Sequence, residues 1–153
     1  MRVHRLVAAR HAGSALDGEG ARRVGGRWNA PGIPVAYCAS TLSLAVLELL
    51  VHVDPASLPA DLVAVEVDIP DDLPIASWRP EALPGHWREE AGKPALQAMG
   101  GAWAKAAGSG ALRVPSVIIP SETNVLINPS HPDAARIRVV GNTPFALDPR
   151  LLR

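Results

Sequence analysis

The stretch from Leu42 to Val51, LSLAVLELLV, places Leu, Ala and Val on every side of a helix and carries a single carboxylate, Glu48. A helix that is apolar all round is expected to be buried, and Ser40 and Thr41 supply hydroxyls able to cap its start. Burying an unpaired carboxylate costs several kcal/mol, enough to consume much of a small domain's stability. Glu48 therefore needs a partner or a task. His52 lies one turn further on the same helix face, and Arg27 is the nearest strong cation preceding the helix. Two readings follow: an internal Arg27–Glu48 ion pair with His52 as a satisfied neighbour, or a cleft that gathers Arg27, Tyr37, Glu48 and His52.

The segment leading into this helix reads as a hairpin. Val24 to Asn29 and Ile33 to Ala39 flank Ala30-Pro31-Gly32, where proline presets φ and glycine accepts a positive one. Val3 to Ala8 suits a first strand, and His11 to Arg23 a polar loop or short turn of helix. In Leu62 to Ile69, Val63, Val65, Val67 and Ile69 alternate with Ala64, Glu66 and Asp68, the pattern of a half-buried strand. Pro70 to Pro94 is loop-rich, with Trp78 and Trp87 suited to anchoring it. Its position relative to any site is open, including whether Asp71 to Lys93 forms a lid.

Pro94 fits the first turn of a helix running from Ala95 to Ala107, where Gly100 and Gly101 permit close packing or a bend. Leu112 to Ile119, Asn124 to Asn128 and Ile137 to Val140 complete the strands, the first two ended by prolines. About six short mixed strands with two clear helices make an α+β class, a single compact domain over residues 1–153 with a buried central helix.

Fifteen basic and fifteen acidic residues in 153 give no net charge, which speaks against direct nucleic-acid or anionic-membrane binding. One cysteine, Cys38, excludes an internal disulfide and a thiolate zinc cluster. The start, MRVHRLVAARH, is too charged for a secretory leader, and no apolar run is long enough to span a bilayer. A cytoplasmic protein is expected.

Phosphate loops, zincin motifs and nucleophile elbows are absent from the sequence, and the five histidines show no metal-ligand spacing. No metal is expected. The remaining polar set suits a phosphorylated, planar ligand: Arg27 as a bidentate phosphate donor, Tyr37 as a stacking ring and Glu48 as a lone carboxylate. Ser116 interrupts an apolar strand, and its hydroxyl either bonds a local carbonyl or faces a site. Asn124, Asn128 and His131 lie in the segment that follows.

Four stretches, GGRWNAPGIPVAY, LAVLELLVH, VPSVIIPSETNVLINPSHPD and PFALDPRLL, occur in an order that resembles the RES domain, named for its Arg, Glu and Ser. The likeness runs through the intervening LPGHW and GGAW. It implies Arg27, Glu48 and Ser116 as the name-giving residues, with Tyr37 and His52 in matching places, and a fold similar to ADP-ribosyltransferase toxins. It further implies the toxin of a toxin-antitoxin pair acting on NAD, with Glu48 and Arg27 catalytic and Arg27, Tyr37, His52, Ser116 and Asn124 binding NAD. The chemistry implied is cleavage of NAD by water or phosphate, or transfer of ADP-ribose to a protein. A non-catalytic nucleotide-binding module is a further alternative.

The implied partner is a helix-turn-helix, Xre-like antitoxin that fills the pocket and carries the DNA-binding function. A homodimer is possible, although the apolar residues of helix 42–51 are needed for the core and no spare patch is evident.

Overall fold

The computed structural model describes residues 1–152. All seven strands join one sheet: β1 Arg2–Ala8, β2 Ala36–Ala39, β3 Leu62–Asp68, β4 Ile75–Ser77, β5 Ala111–Pro115, β6 Thr123–Ile127 and β7 Arg138–Pro144. Their spatial order is β4-β5-β6-β2-β1-β3-β7. Only β4 and β5 run parallel; the other neighbours are antiparallel. With helices α1 Glu19–Val24, α2 Leu42–His52 and α3 Lys93–Ala106, this is the expected α+β class.

Both faces of the sheet are covered. On one, Val3 and Val7 pack with Val65, Val67, Ile69, Cys38, Val125 and Ile127, so the alternation in β3 does place its valines in a core. On the other, α3 packs Leu96 and Trp103 against Leu112, Val114 and Leu126 with Trp28 and Trp87. Leu6 and Ala39 meet Leu44 and Ala45 of α2. Each fully buried aliphatic side chain contributes roughly 1.5–3 kcal/mol relative to exposure.

Several local expectations are corrected. The hairpin over 24–39 does not form. Its first arm is the end of α1, stopped by Gly25 at φ 73°, followed by a tight turn with one bridge between Gly26 and Asn29. Glu19 holds Arg22 at 2.7 Å and Arg23 at 2.9 Å, one turn away on α1, and these pairs favour the short turn of helix expected before Arg23, which runs one residue further, to Val24.

Helix α2 starts where expected, the Thr41 hydroxyl accepting from the Leu44 amide at 3.1 Å, but it is not buried all round. Only Leu44 and Ala45 are fully enclosed, and Val51 is 63% exposed. The helix leans on β1 and β2 through its first turns, and the remainder forms a wall.

Strand β5 ends at Pro115, not at Ile119, because Ser116 opens a turn that bonds back to the Ile118 and Ile119 amides. The 70–94 segment contributes the edge strand β4. Trp87 anchors it in the core, and Trp78 stacks obliquely on Trp28 with ring centres 5.9 Å apart. No described helix is long and apolar enough to cross a membrane.

Candidate active site

The sheet splits where it matters. Between β1 and β3 every residue from Arg2 to Ala8 is paired, whereas β1 and β2 share only the His4–Ala39 pair. A cleft of about 400 Å³ opens at this divergence, walled by β1, α1, the Gly25–Trp28 turn, β2 and the outer face of α2. That volume lies within the range of small-molecule sites.

Glu48 reaches the cleft from α2. Its Oε1 accepts from Ser116 Oγ at 2.9 Å and from Asn124 Nδ2 at 2.6 Å, while Oε2 has no hydrogen-bond partner among the described residues. Of the two readings, the Arg27–Glu48 ion pair is not formed among the described residues, and Arg27, Tyr37, Glu48 and His52 do border one cleft. Burial of the carboxylate is instead compensated by two neutral donors brought from β6 and the turn after β5, which fixes one oxygen and leaves the other for the cleft.

Ser116 is 0% exposed and does not line the cleft. Its oxygen accepts from the Ile118 amide at 3.1 Å and the Ile119 amide at 3.2 Å. With its lone pairs so engaged, the hydroxyl proton is committed to Glu48.

Asn124 does line the cleft. The carboxylate beside it dictates that its amide nitrogen faces Glu48, so its Oδ1 points away. That oxygen is buried without a partner among the described residues, and such an atom costs about 1–3 kcal/mol.

Arg27 also borders the cleft, but its guanidinium is largely occupied. Nη1 donates to the Trp87 carbonyl at 3.3 Å and the Glu89 carbonyl at 3.2 Å, and Nη2 to Glu90 at 2.9 Å. The 71–93 segment thus clasps Arg27 from behind. None of its described residues lines the cleft, so it is not positioned as a lid.

The Tyr37 ring faces the cleft from β2, with its hydroxyl engaged by protein. It donates to Asn29 Oδ1 at 2.6 Å and accepts from the Trp28 amide at 3.0 Å; burial pushes its pKa well up. Only the ring is left for a ligand. His52, at the C-terminal end of α2, is exposed at the cleft mouth, facing inward.

Sequence reasoning missed two residues here. Asn29 is fully buried and its amide nitrogen donates to the carbonyls of Ala21, Ala30 and Ile33, so it organises the whole 21–33 loop. Arg5 of β1 enters the cleft beside Cys38, where strand patterning alone gave no sign of it. Among the described residues no group of three His, Cys, Asp or Glu side chains could hold a metal ion.

The RES domain family model matches residues 2–148. The Prs ADP-ribosylating toxin of a Sphingobium species is 42% identical over 142 residues, covering 90% of this chain and 87% of that protein. Toxin Res of Yersinia enterocolitica is 36% identical over 152 residues, covering 99% of both. In fold, the chain superposes with a TM-score of 0.78 on a chain of the Mycobacterium tuberculosis MbcT–MbcA toxin-antitoxin complex, at 22% identity and covering 95% of this chain and 84% of the other.

Proposed function

This chain belongs to the RES domain family, and from that premise we propose that it is the toxin of a toxin-antitoxin pair and consumes NAD by breaking the bond between nicotinamide and ribose. The observation that carries the reading is the asymmetric anchoring of Glu48: Oε1 is pinned by Ser116 and Asn124 while Oε2 has no partner among the described residues. Cleavage of this N-glycosidic bond passes through an oxocarbenium-like state, and a carboxylate held in a fixed place stabilises the positive charge that develops on the ribose.

The bond between C1′ and the nicotinamide nitrogen breaks with its electron pair going to nicotinamide, which leaves neutral. An oxygen nucleophile, water or phosphate, bonds to C1′ and gives up its proton to Glu48 Oε2 or to solvent. Asn124 holds Glu48 in place through its amide group from the cleft wall. Tyr37 offers a ring face to the nicotinamide, and His52 a donor at the cleft mouth. Ser116 acts through Glu48, and Arg27 supports the cleft edge with its remaining donors. No step calls for a metal.

A second reading keeps the site but passes ADP-ribose to a protein, and it is favoured by the name of the Sphingobium relative. The proposed partner is a helix-turn-helix, Xre-like antitoxin, a reading supported by the toxin-antitoxin complex that shares the fold. Val24 and Val51, 79% and 63% exposed, flank the cleft mouth as an apolar rim that such a partner would cover. A cytoplasmic site of action accompanies this reading.

The test is nicotinamide release from NAD by purified protein, with and without inorganic phosphate, beside Glu48→Gln. Glutamine can accept from Ser116 and Asn124 through its own carbonyl, so the fold is retained and only the charge is lost. Release reduced by about a hundredfold or more is expected. A folded Glu48→Gln protein that released nicotinamide at the wild-type rate would overturn the mechanism, and radiolabel moving from NAD to protein in a lysate would select the second reading.

A further inference from the structure

Two guanidinium groups reach the cleft, and they differ in how fully the protein uses them. Arg27 has three donor hydrogens committed and a carboxylate partner in Glu90. Arg5 makes one long bond, from Nη1 to the Tyr37 carbonyl at 3.4 Å, and no carboxylate pairs with it among the described residues. Arg2, on the same strand, is paired with Asp68 at 3.3 Å, and Glu48, the one acid lining the cleft among the described residues, spends its anchored oxygen on neutral donors.

Arg5 is partly buried, on a strand whose Val3 and Val7 lie in the core. A half-buried guanidinium without a counter-charge is an unfavourable arrangement that an anionic ligand would relieve. Two guanidinium groups, Arg5 and Arg27, border the cleft against a single carboxylate, Glu48, among the described residues. The Arg5 group sits where β1 and β2 part, deep beside Cys38, and the planar fork of arginine matches two phosphate oxygens.

We propose that Arg5 is the principal phosphate-binding residue of the cleft, taking the pyrophosphate of the dinucleotide, while Arg27 chiefly holds the 87–90 segment. The assignment deepens the NAD reading given above and rests on it for the identity of the dinucleotide.

The experiment is calorimetric titration of the full chain with ADP-ribose, inorganic pyrophosphate and nicotinamide, for wild type, Arg5→Gln, Arg5→Lys and Arg27→Gln, together with NAD kinetics. Arg5→Gln is expected to weaken ADP-ribose and pyrophosphate binding by about tenfold to a hundredfold and to leave nicotinamide binding unchanged. Arg5→Lys, which keeps the charge without the fork, is expected to recover part of the loss, and the kinetic effect to fall on KM more than on kcat.

ADP-ribose binding by folded Arg5→Gln at wild-type affinity overturns the proposal, as does a wild-type protein that binds neither ADP-ribose nor pyrophosphate. If Arg5→Gln does not fold, the Arg5 Nε–Hε resonance of the wild-type protein is followed by NMR as ADP-ribose is added. A resonance unmoved at saturation overturns the proposal, and a displaced one supports it. Arg5-dependent ADP-ribose binding without any nicotinamide release would support the phosphate site and overturn NAD cleavage.

Discussion

Ser116 donates its hydroxyl proton to Glu48 across 2.9 Å while its oxygen receives two backbone amides from Ile118 and Ile119. The serine is thus a fixed link between the turn after β5 and the carboxylate on α2, residues 68 apart in sequence. Its own orientation cannot change without losing two bonds.

Ser116→Ala should therefore damage turnover more than binding. Glu48 keeps Asn124 but loses one of two supports, and kcat for NAD is expected to drop about tenfold to a hundredfold with KM within roughly twofold. The unpaired amides should lower stability by about 1–3 kcal/mol. Steady-state kinetics at a temperature where the variant is folded decides the matter: a raised KM with unchanged kcat would mean that Ser116 touches the ligand directly.

What the sequence made legible, and what it hid, follows from the range of the interactions. Glu48 stood out because a lone carboxylate in an apolar helix is a local anomaly, and the Thr41 cap and the valine alternation of β3 are local signals too. The Glu48–Ser116–Asn124 contact could be expected only through family resemblance, since nothing in local pattern joins residues so far apart. Arg5 was invisible because its place depends on β1 and β2 separating after one residue pair, a property of the sheet and not of either strand. The false hairpin arose from reading Ala30-Pro31-Gly32 as its turn, with Gly25 inside the first arm. Both have positive φ, 73° and 98°, but they end α1 and fold the loop so that the Gly32 amide reaches the Arg22 carbonyl at 2.7 Å.

Gly100→Ala should destabilise the site from behind. A Cβ at Gly100 would drive into the carbonyl oxygen of Trp28, main chain that adjoins Arg27 and that Gln97 already ties down through the Gly26 carbonyl at 2.8 Å. A loss of about 1–3 kcal/mol is expected, seen as a fall in Tm of several degrees. Gly101→Ala is the control: its Cβ would meet only the flexible end of Ile33 at 3.0 Å, and the gain in helix propensity of up to about 1 kcal/mol offsets the adjustment. Equal Tm values for the two variants would show that the Trp28 contact is not tight.

Ala107→Gly should stabilise the protein. Ala107 follows α3 with φ 49° and ψ 37°, the one described non-glycine residue with positive φ. A left-handed conformation costs a residue with a Cβ roughly 1–2 kcal/mol. The greater freedom of unfolded glycine takes back part of that. A net gain of about 0.5–1 kcal/mol in denaturant unfolding is expected, with NAD kinetics unchanged because Ala107 is remote from the cleft. A loss of stability would mean that the methyl group packs favourably enough to outweigh the strain.

Cys38 gives a pH-dependent prediction. Burial raises its thiol from an ordinary 9.0 to about 11, against the opposing pull of the Arg5 charge. Below pH 9 the thiol is protonated folded and unfolded alike, and it contributes no pH dependence. Between about 9 and 11 the unfolded chain releases the proton while the folded one retains it. The folded state then binds more protons, so stability falls as pH rises through this window, by an amount on the order of 2 kcal/mol. Chemical denaturation at pH 8 and pH 10.5 should show a smaller decrease for Cys38→Ala than for wild type, the remainder coming from groups such as Tyr37, whose pKa is also raised. The same protonation predicts slow alkylation by iodoacetamide at pH 8 in the native protein and fast alkylation in denaturant. Native alkylation as fast as that of the unfolded chain would show that the thiol is open to the cleft and readily ionised.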